Sequence, residues 1–131
     1  MPKTQIKYIT KPNEEVLNYI QKTSSNFNKD ETRINISSFL KDFNNFGLYL
    51  YAFSKLAGVI FFTNNEENKT LSLKDCYLEN PNNFDYVIDF LKNKFLFYSL
   101  EIKMNKDRMP LKSVIKKYKF TLLNDLYIIK L

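Results

Sequence analysis

Residues 70–104 form a β-rich run, a helical run and a second β-rich run, and this unit constrains the fold more than any other feature. Leu71, Leu73, Cys76 and Leu78 carry the first run. Phe84, Val87, Ile88, Leu91 and Phe95 then recur at helical spacing, and Tyr98, Leu100, Ile102 and Met104 alternate with Ser99, Glu101 and Lys103. Strands joined through a helix pair in parallel, by a right-handed crossover. Asn80-Pro81 reads as the helix start, with Asn at the cap and Pro in the first position.

The remaining elements build around that unit. Residues 6–9 predict a short strand closed by Pro12. From Asn13, a cap candidate, Val16, Leu17, Ile20 and Phe27 trace a helical face, with Glu14 and Glu15 in the first turn. A second helix follows Ile36, Phe39, Leu40, Phe43 and Phe46, and Gly47 ends it. Strands at 48–54 and 57–63 leave only Lys55-Leu56 between them, a hairpin with Gly58 easing the backbone near the turn. A polar turn at 64–69 leads into the strand at 70–79. A fourth helix is expected at 110–118 on Leu111, Val114, Ile115 and Tyr118, and a closing hairpin turns at Asn124-Asp125. The order β-α-α-β-β-β-α-β-α-β-β predicts an α/β (α+β) fold with a central mixed sheet and helices on both faces, in a single domain over 1–131.

The strand at 70–79 carries an irregularity. Leu71 and Leu73 point one way, yet the apolar set resumes at Cys76 and Leu78, so the period-two phase slips near Lys74-Asp75. A β-bulge inserts one residue in this manner and often re-aims a strand beside a cleft; a frayed strand end is the other reading.

Composition narrows the chemistry. With 131 residues and 44% apolar, the chain suits one domain with a sizeable core. It has no His and one Cys, which excludes imidazole catalysis and zinc sites of Cys/His type, and no metal is expected. Two glycines exclude a glycine-rich phosphate loop. Cys76 has no intramolecular partner and reads as a small hydrophobe in a reducing compartment. No run of about 20 apolar residues is present to span a membrane, and the polar start lacks a secretion signal, so a cytoplasmic location is expected.

The net charge of +6 is concentrated. Residues 101–119 hold seven bases (Lys103, Lys106, Arg108, Lys112, Lys116, Lys117, Lys119) against Glu101 and Asp107. Such a field favours an anionic ligand, whereas the bland reading is a lysine-rich soluble surface. Nucleic acid is disfavoured, because Tyr98, Tyr118 and Phe120 follow core spacing and no nucleic-acid motif is present.

The element order, the segment 106–120 (KDRMPLKSVIKKYKF) and Leu56-Ala57-Gly58-Val59-Ile60 together resemble the GNAT (Gcn5-related N-acetyltransferase) family. The resemblance implies a sheet whose fourth and fifth strands splay at their C-terminal ends to admit the pantetheine arm of acetyl-CoA. Here that cleft would lie between Tyr77-Leu78-Glu79 and Glu101-Ile102-Lys103. It implies direct attack of a primary amine, on a small molecule or a protein, upon the thioester. Glu79 would be the general base, with Asp75 second, and Tyr118 the acid. The bland alternatives are a solvated or capping carboxylate and a ring closing an apolar stripe. Tyr77, Leu78, Glu79, Asn82, Asn83 and Arg108 would hold the cofactor, Arg108 with Lys106 and Lys112 meeting the phosphates unless they form only a solvated basic helix end. The acceptor side would be built from the first two helices and loops. The sequence departs from the family at Asn80-Pro81-Asn82-Asn83-Phe84-Asp85, where a glycine-rich, basic turn is usual: Pro81 removes a donor and Asp85 repels phosphate. The family's Tyr, Asn and Gly fall on Ile115, Arg108 and Lys119. That departure supports the alternative of an inactive GNAT-like binding or inhibitory module. Tyr49, Tyr51, Phe61 and Phe62, read as exposed aromatics, would permit a homodimer.

Overall fold

The computed structural model describes residues 4–24, 27–105 and 111–131. Its elements are β1 (Thr4–Tyr8), α1 (Glu14–Thr23), α2 (Lys29–Leu40), β2 (Asn45–Ala52), β3 (Lys55–Asn65), β4 (Thr70–Leu78), a short 3-10 turn (Pro81–Asn83), α3 (Phe84–Lys94), β5 (Ser99–Lys103), α4 (Lys112–Lys117), β6 (Thr121–Leu123) and β7 (Leu126–Lys130). The strands form one mixed sheet in the order β1-β2-β3-β4-β5-β7-β6, in which only β4 and β5 run parallel. The expected mixed α/β architecture is therefore present.

Each sheet face has its own core. Leu48, Leu50, Ile60, Phe62, Leu71 and Leu73 point toward Phe84, Val87, Ile88 and Leu91 of α3 and Val114 and Ile115 of α4. Tyr49, Val59 and Phe61 point the other way, onto Val16, Leu17 and Ile20 of α1 and Ile36 of α2. This alternation is the period of two acting on strands covered on both faces. Tyr49, Phe61 and Phe62 are thus core residues, at 9%, 4% and 0% exposure, and Tyr51 is half-buried, rather than exposed aromatics. Among the described residues the exposed aromatics are Phe43, Phe53 and Phe97, outside the regular elements, with Tyr8 on β1 and Tyr86 on α3.

Several boundaries differ from the sequence expectation. Asn80-Pro81 opens a 3-10 turn over Pro81–Asn83, and α3 itself begins at Phe84. The α2 helix stops at Leu40 rather than at Gly47. The Asp42 carboxylate accepts from the Asn44 amide and the Asp42 carbonyl accepts from the Asn45 amide, a local turn that competes with further helix. Phe43 is left in solvent, and Phe46 and Gly47 belong to β2. The β2–β3 hairpin turns at Phe53-Ser54, both at positive φ, and Lys55-Leu56 begins β3. Gly58 has no positive φ; a Cβ there would come within 2.6 Å of Leu78, so close approach of β4 explains the residue. Phe27 lies beyond α1, which ends at Thr23, and packs against the α1/α2 core from the connecting segment.

Candidate active site

The expected bulge is present. Phe61 pairs with Asp75 and Phe62 with Leu73, so Lys74 is the extra residue of β4. Leu71 and Leu73 before it, and Cys76 and Leu78 after it, pack with the α3/α4 core, while Tyr77 packs with the α1/α2 core. One inserted residue therefore turns Asp75 and Tyr77 away from the face that Leu73 occupies.

The same region is where the sheet opens. The β4–β5 ladder covers only Thr70–Ser72 against Ser99–Glu101, although β4 continues to Leu78 and β5 to Lys103. Glu101 closes the ladder, so it is not a wall of the gap. Ile102 and Lys103 are the β5 residues beyond it, and the opening begins at Leu73, earlier in β4 than Tyr77-Leu78-Glu79. The latter residues lie at the outer end of the slot.

Tyr19 of α1 fixes that outer end. Its hydroxyl donates to the Ala57 carbonyl at 2.7 Å and accepts from the Glu79 amide at 3.2 Å. Ala57 is itself the extra residue at the β2–β3 register shift, and its carbonyl is taken up by this side chain rather than left bare. The Glu79 carboxylate is half-exposed and pairs with Lys22 at 3.0 Å. Sequence reading does not single out Tyr19.

At the same end, directly after Glu79, the start of α3 is already satisfied from within. Asn80 Oδ1 accepts from the Asn82 amide at 3.0 Å, the Asn80 carbonyl accepts from the Asn83 amide, and Pro81 has no N–H. Asp85, in the first turn, accepts from the Tyr118 hydroxyl at 2.8 Å and from Lys117. Partial burial pushes the Asp85 carboxyl up, but the hydrogen bonds from Lys117 and Tyr118 and the Lys117 charge outweigh it and hold it below its ordinary value. Burial, followed by the hydrogen bond to Asp85 and the nearby Asp85 and Asp89 charges, pushes the Tyr118 phenol up to about 12. Tyr118 is therefore protonated across the neutral range and directed at the α3 terminus.

The ends of β4 and β5, unpaired with each other beyond Ser72 and Glu101, suit a thiol-bearing arm. The residues at the α3 start do not offer the backbone N–H nest that would cradle a diphosphate there. Arg108 and Lys106 lie outside the described residues. Among the described residues no group of His, Cys, Asp or Glu side chains gathers to hold a metal ion. Among the described residues no helix is long and apolar enough to cross a membrane.

Tyr51 reaches a similar state by another route. Its hydroxyl donates to the Glu15 carboxylate at 2.6 Å, and that bond, then burial, pushes it up to about 12. For both phenols the folded value lies above the unfolded value of about 10. Their contribution to stability is complete below pH of about 10 and is lost as pH rises through about 12. Absorbance titration of phenolate should show Tyr51 and Tyr118 among the last tyrosines to ionise, and Tyr118→Phe should remove one such late transition. Complete ionisation of every tyrosine near pH 10 would contradict these contacts.

The strand order, the lone parallel pair and its short ladder define the GNAT fold, and the chain has that fold. Solved structures agree over nearly the whole length. The Campylobacter jejuni N-acetyltransferase PseH superposes with a TM-score of 0.72 at 16% identity, covering 99% of this chain and 98% of that one. A Salmonella typhimurium acetyl transferase that modifies the N-terminal serine of ribosomal protein L7/L12 gives 0.73 at 12% identity, with 100% and 96% covered. The putative Escherichia coli N-acetyl transferase YhhK, solved bound to coenzyme A, gives 0.72 at 13% identity, with 98% and 99% covered. No protein-family model matches the sequence, and no curated protein matches it.

Proposed function

We propose that this chain is an N-acetyltransferase that moves an acetyl group from acetyl-CoA to a primary amine by direct attack on the thioester. The observation that carries the reading is the ladder ending at Ser72 and Glu101 while β4 runs on to Leu78. PseH has also been solved with acetyl coenzyme A, at a TM-score of 0.71 to this chain. When bound, acetyl-CoA supplies a carbonyl activated as a thioester. Leu73 to Leu78 line one side of the slot, with Tyr77, Leu78 and Glu79 holding the arm at its outer end. Asn82, Asn83 and Arg108 would meet the phosphates through side chains, since the α3 start lends no backbone nest. A carboxylate on β4 or just beyond it takes the proton that the ammonium must lose. Glu79 is the candidate just beyond the strand and Asp75 the one at the bulge. Tyr118, protonated at neutral pH, is the group that returns a proton to the departing thiolate. The chain would work in the cytoplasm, where Cys76 stays a thiol.

A second reading, a GNAT-shaped binding or inhibitory module that has lost acetyl-CoA, is favoured by one observation: Asp85 already places an anion, with its own cation and hydroxyl, at the α3 start. Thermal denaturation with millimolar acetyl-CoA separates the two. Donor at 100 times its dissociation constant adds about 2.7 kcal/mol, a rise of several degrees. Such a rise, with thiol release on adding an amine, is expected. Neither rise nor release would leave the module. Glu79→Gln should keep the rise and slow turnover if Glu79 is the base; unchanged turnover would assign that role to Asp75.

A further inference from the structure

The basic residues of α4 stand at the outer end of the slot. The α4 helix packs against the 3-10 turn that precedes α3, and its Lys117 and the Tyr118 that follows it engage Asp85 of α3. Val114 and Ile115 are buried in the core, so Lys112 and Lys116, one turn apart, point outward, with Lys119 just beyond the helix. All three are exposed, and among the described residues none of them enters an ion pair. Lys92 of α3 and Lys117 add two ammonium groups against the Tyr118 ring, at 5.9 and 5.6 Å from its centroid. Against these stand Asp85, matched by Lys117, and Asp89.

We infer that this surface docks an acidic carrier protein, and that the slot takes its thioester from a pantetheine arm attached to that protein in preference to acetyl-CoA. The inference rests on the transferase reading and names the form of the donor. Three observations lead to it. The slot between the ends of β4 and β5 suits the arm, which is the same in both donors. The α3 start is poorly made for what distinguishes coenzyme A, a diphosphate and a ribose phosphate. Asn80 takes up the Asn82 and Asn83 amides, Pro81 has no N–H, and Asp85 stands in the first turn. A carrier arm brings only a single phosphodiester to that point. The third observation is the surplus of exposed lysines, which complements an acidic protein face and speeds its encounter. Nucleic acid would match the charge but brings no arm to the slot. The transfer itself is unchanged. The amine nitrogen bonds to the thioester carbon as the C–S bond breaks, one proton leaves the ammonium, and one reaches the thiolate, which departs as the carrier's free thiol.

The test measures binding of a fluorescently labelled acyl carrier protein, with and without its arm. Thiol release is read in parallel from the acetylated carrier, acetyl-CoA and acetyl-pantetheine, with 2-phenylethylamine, spermidine and a serine-initiated hexapeptide as acceptors. The armed carrier should bind at least tenfold more tightly than the armless one. The acetylated carrier should show kcat/KM at least tenfold above acetyl-CoA. Lys116→Glu combined with Lys119→Asn should weaken carrier binding at least tenfold and leave turnover of uncharged acetyl-pantetheine unchanged; Asn is chosen because it tolerates the positive φ of position 119. Four results overturn the inference: a higher kcat/KM for acetyl-CoA, equal binding of the two carrier forms, an unmoved carrier affinity in the double variant, or tighter binding of a single-stranded oligonucleotide. Thiol release from acetyl-CoA or acetyl-pantetheine would leave the transferase reading standing in each case. Arm-dependent carrier binding that the double variant weakens, with no thiol release from any donor, keeps the docking surface and sinks the transferase reading instead.

Discussion

Replacing Phe62 with alanine should lower the free energy of unfolding by about 3–5 kcal/mol. Phe62 is fully buried and stacks on Phe46 at 5.3 Å, which in turn stacks on Phe95 at 5.5 Å. Removing the ring deletes its transfer free energy and leaves a void that a tightly packed sheet face fills poorly. Phe62 also flanks the bulge, pairing with Leu73 where Phe61 pairs with Asp75, so the register that aims Asp75 is held partly by this ring. For a chain of this size the loss corresponds to a fall of roughly 10–20 °C in Tm. Thermal denaturation of the variant measures it. A fall of only a few degrees would mean that the aromatic stack does not anchor the sheet.

On the transferase reading, Asp85→Asn should strengthen binding of acetyl-CoA about fivefold. The present carboxylate occupies the positive end of the α3 dipole and engages both Lys117 and Tyr118. Neutralising it removes repulsion toward a diphosphate and releases the Lys117 ammonium, worth about 1 kcal/mol in this partly exposed setting. The Tyr118 phenol, held near 12 by burial and then by Asp85, should fall toward its ordinary value in the same variant. Michaelis constants and a phenolate titration check both halves. If KM for acetyl-CoA stays constant or rises while the phenol does move, Asp85 is not opposing the donor.

Much of the scaffold could be read from local pattern. The β4–α3–β5 unit declares itself by spacing, by Asn80-Pro81 and by the alternation in β5. The bulge at Lys74 is legible for the same reason, because a slip of phase is visible within five residues. Where reading failed, two local signals competed. Phe43 and Phe46 continue the helical spacing of α2, yet Asp42 diverts the backbone first. Phe53-Ser54 gives no glycine or asparagine to mark a turn with two positive φ values. Tyr19 was hidden: nothing in α1 alone shows that its hydroxyl reaches Ala57 and Glu79. Tyr118 was singled out in advance, but its partner was not; Asp85 was noted only as a charge hostile to phosphate.

The three-residue seam between β4 and β5 has a consequence for how the slot is dimensioned. Backbone pairing cannot set the width of a gap that begins where pairing ends. The distance between the two diverging edges is dictated from underneath, by Val87, Ile88 and Leu91 wedged against Leu71, Leu73, Leu100 and Ile102. A buried methyl group on α3 thus acts as a gauge for the opening above it, and the dimensions of the slot are inherited from oily contacts that lie beneath it.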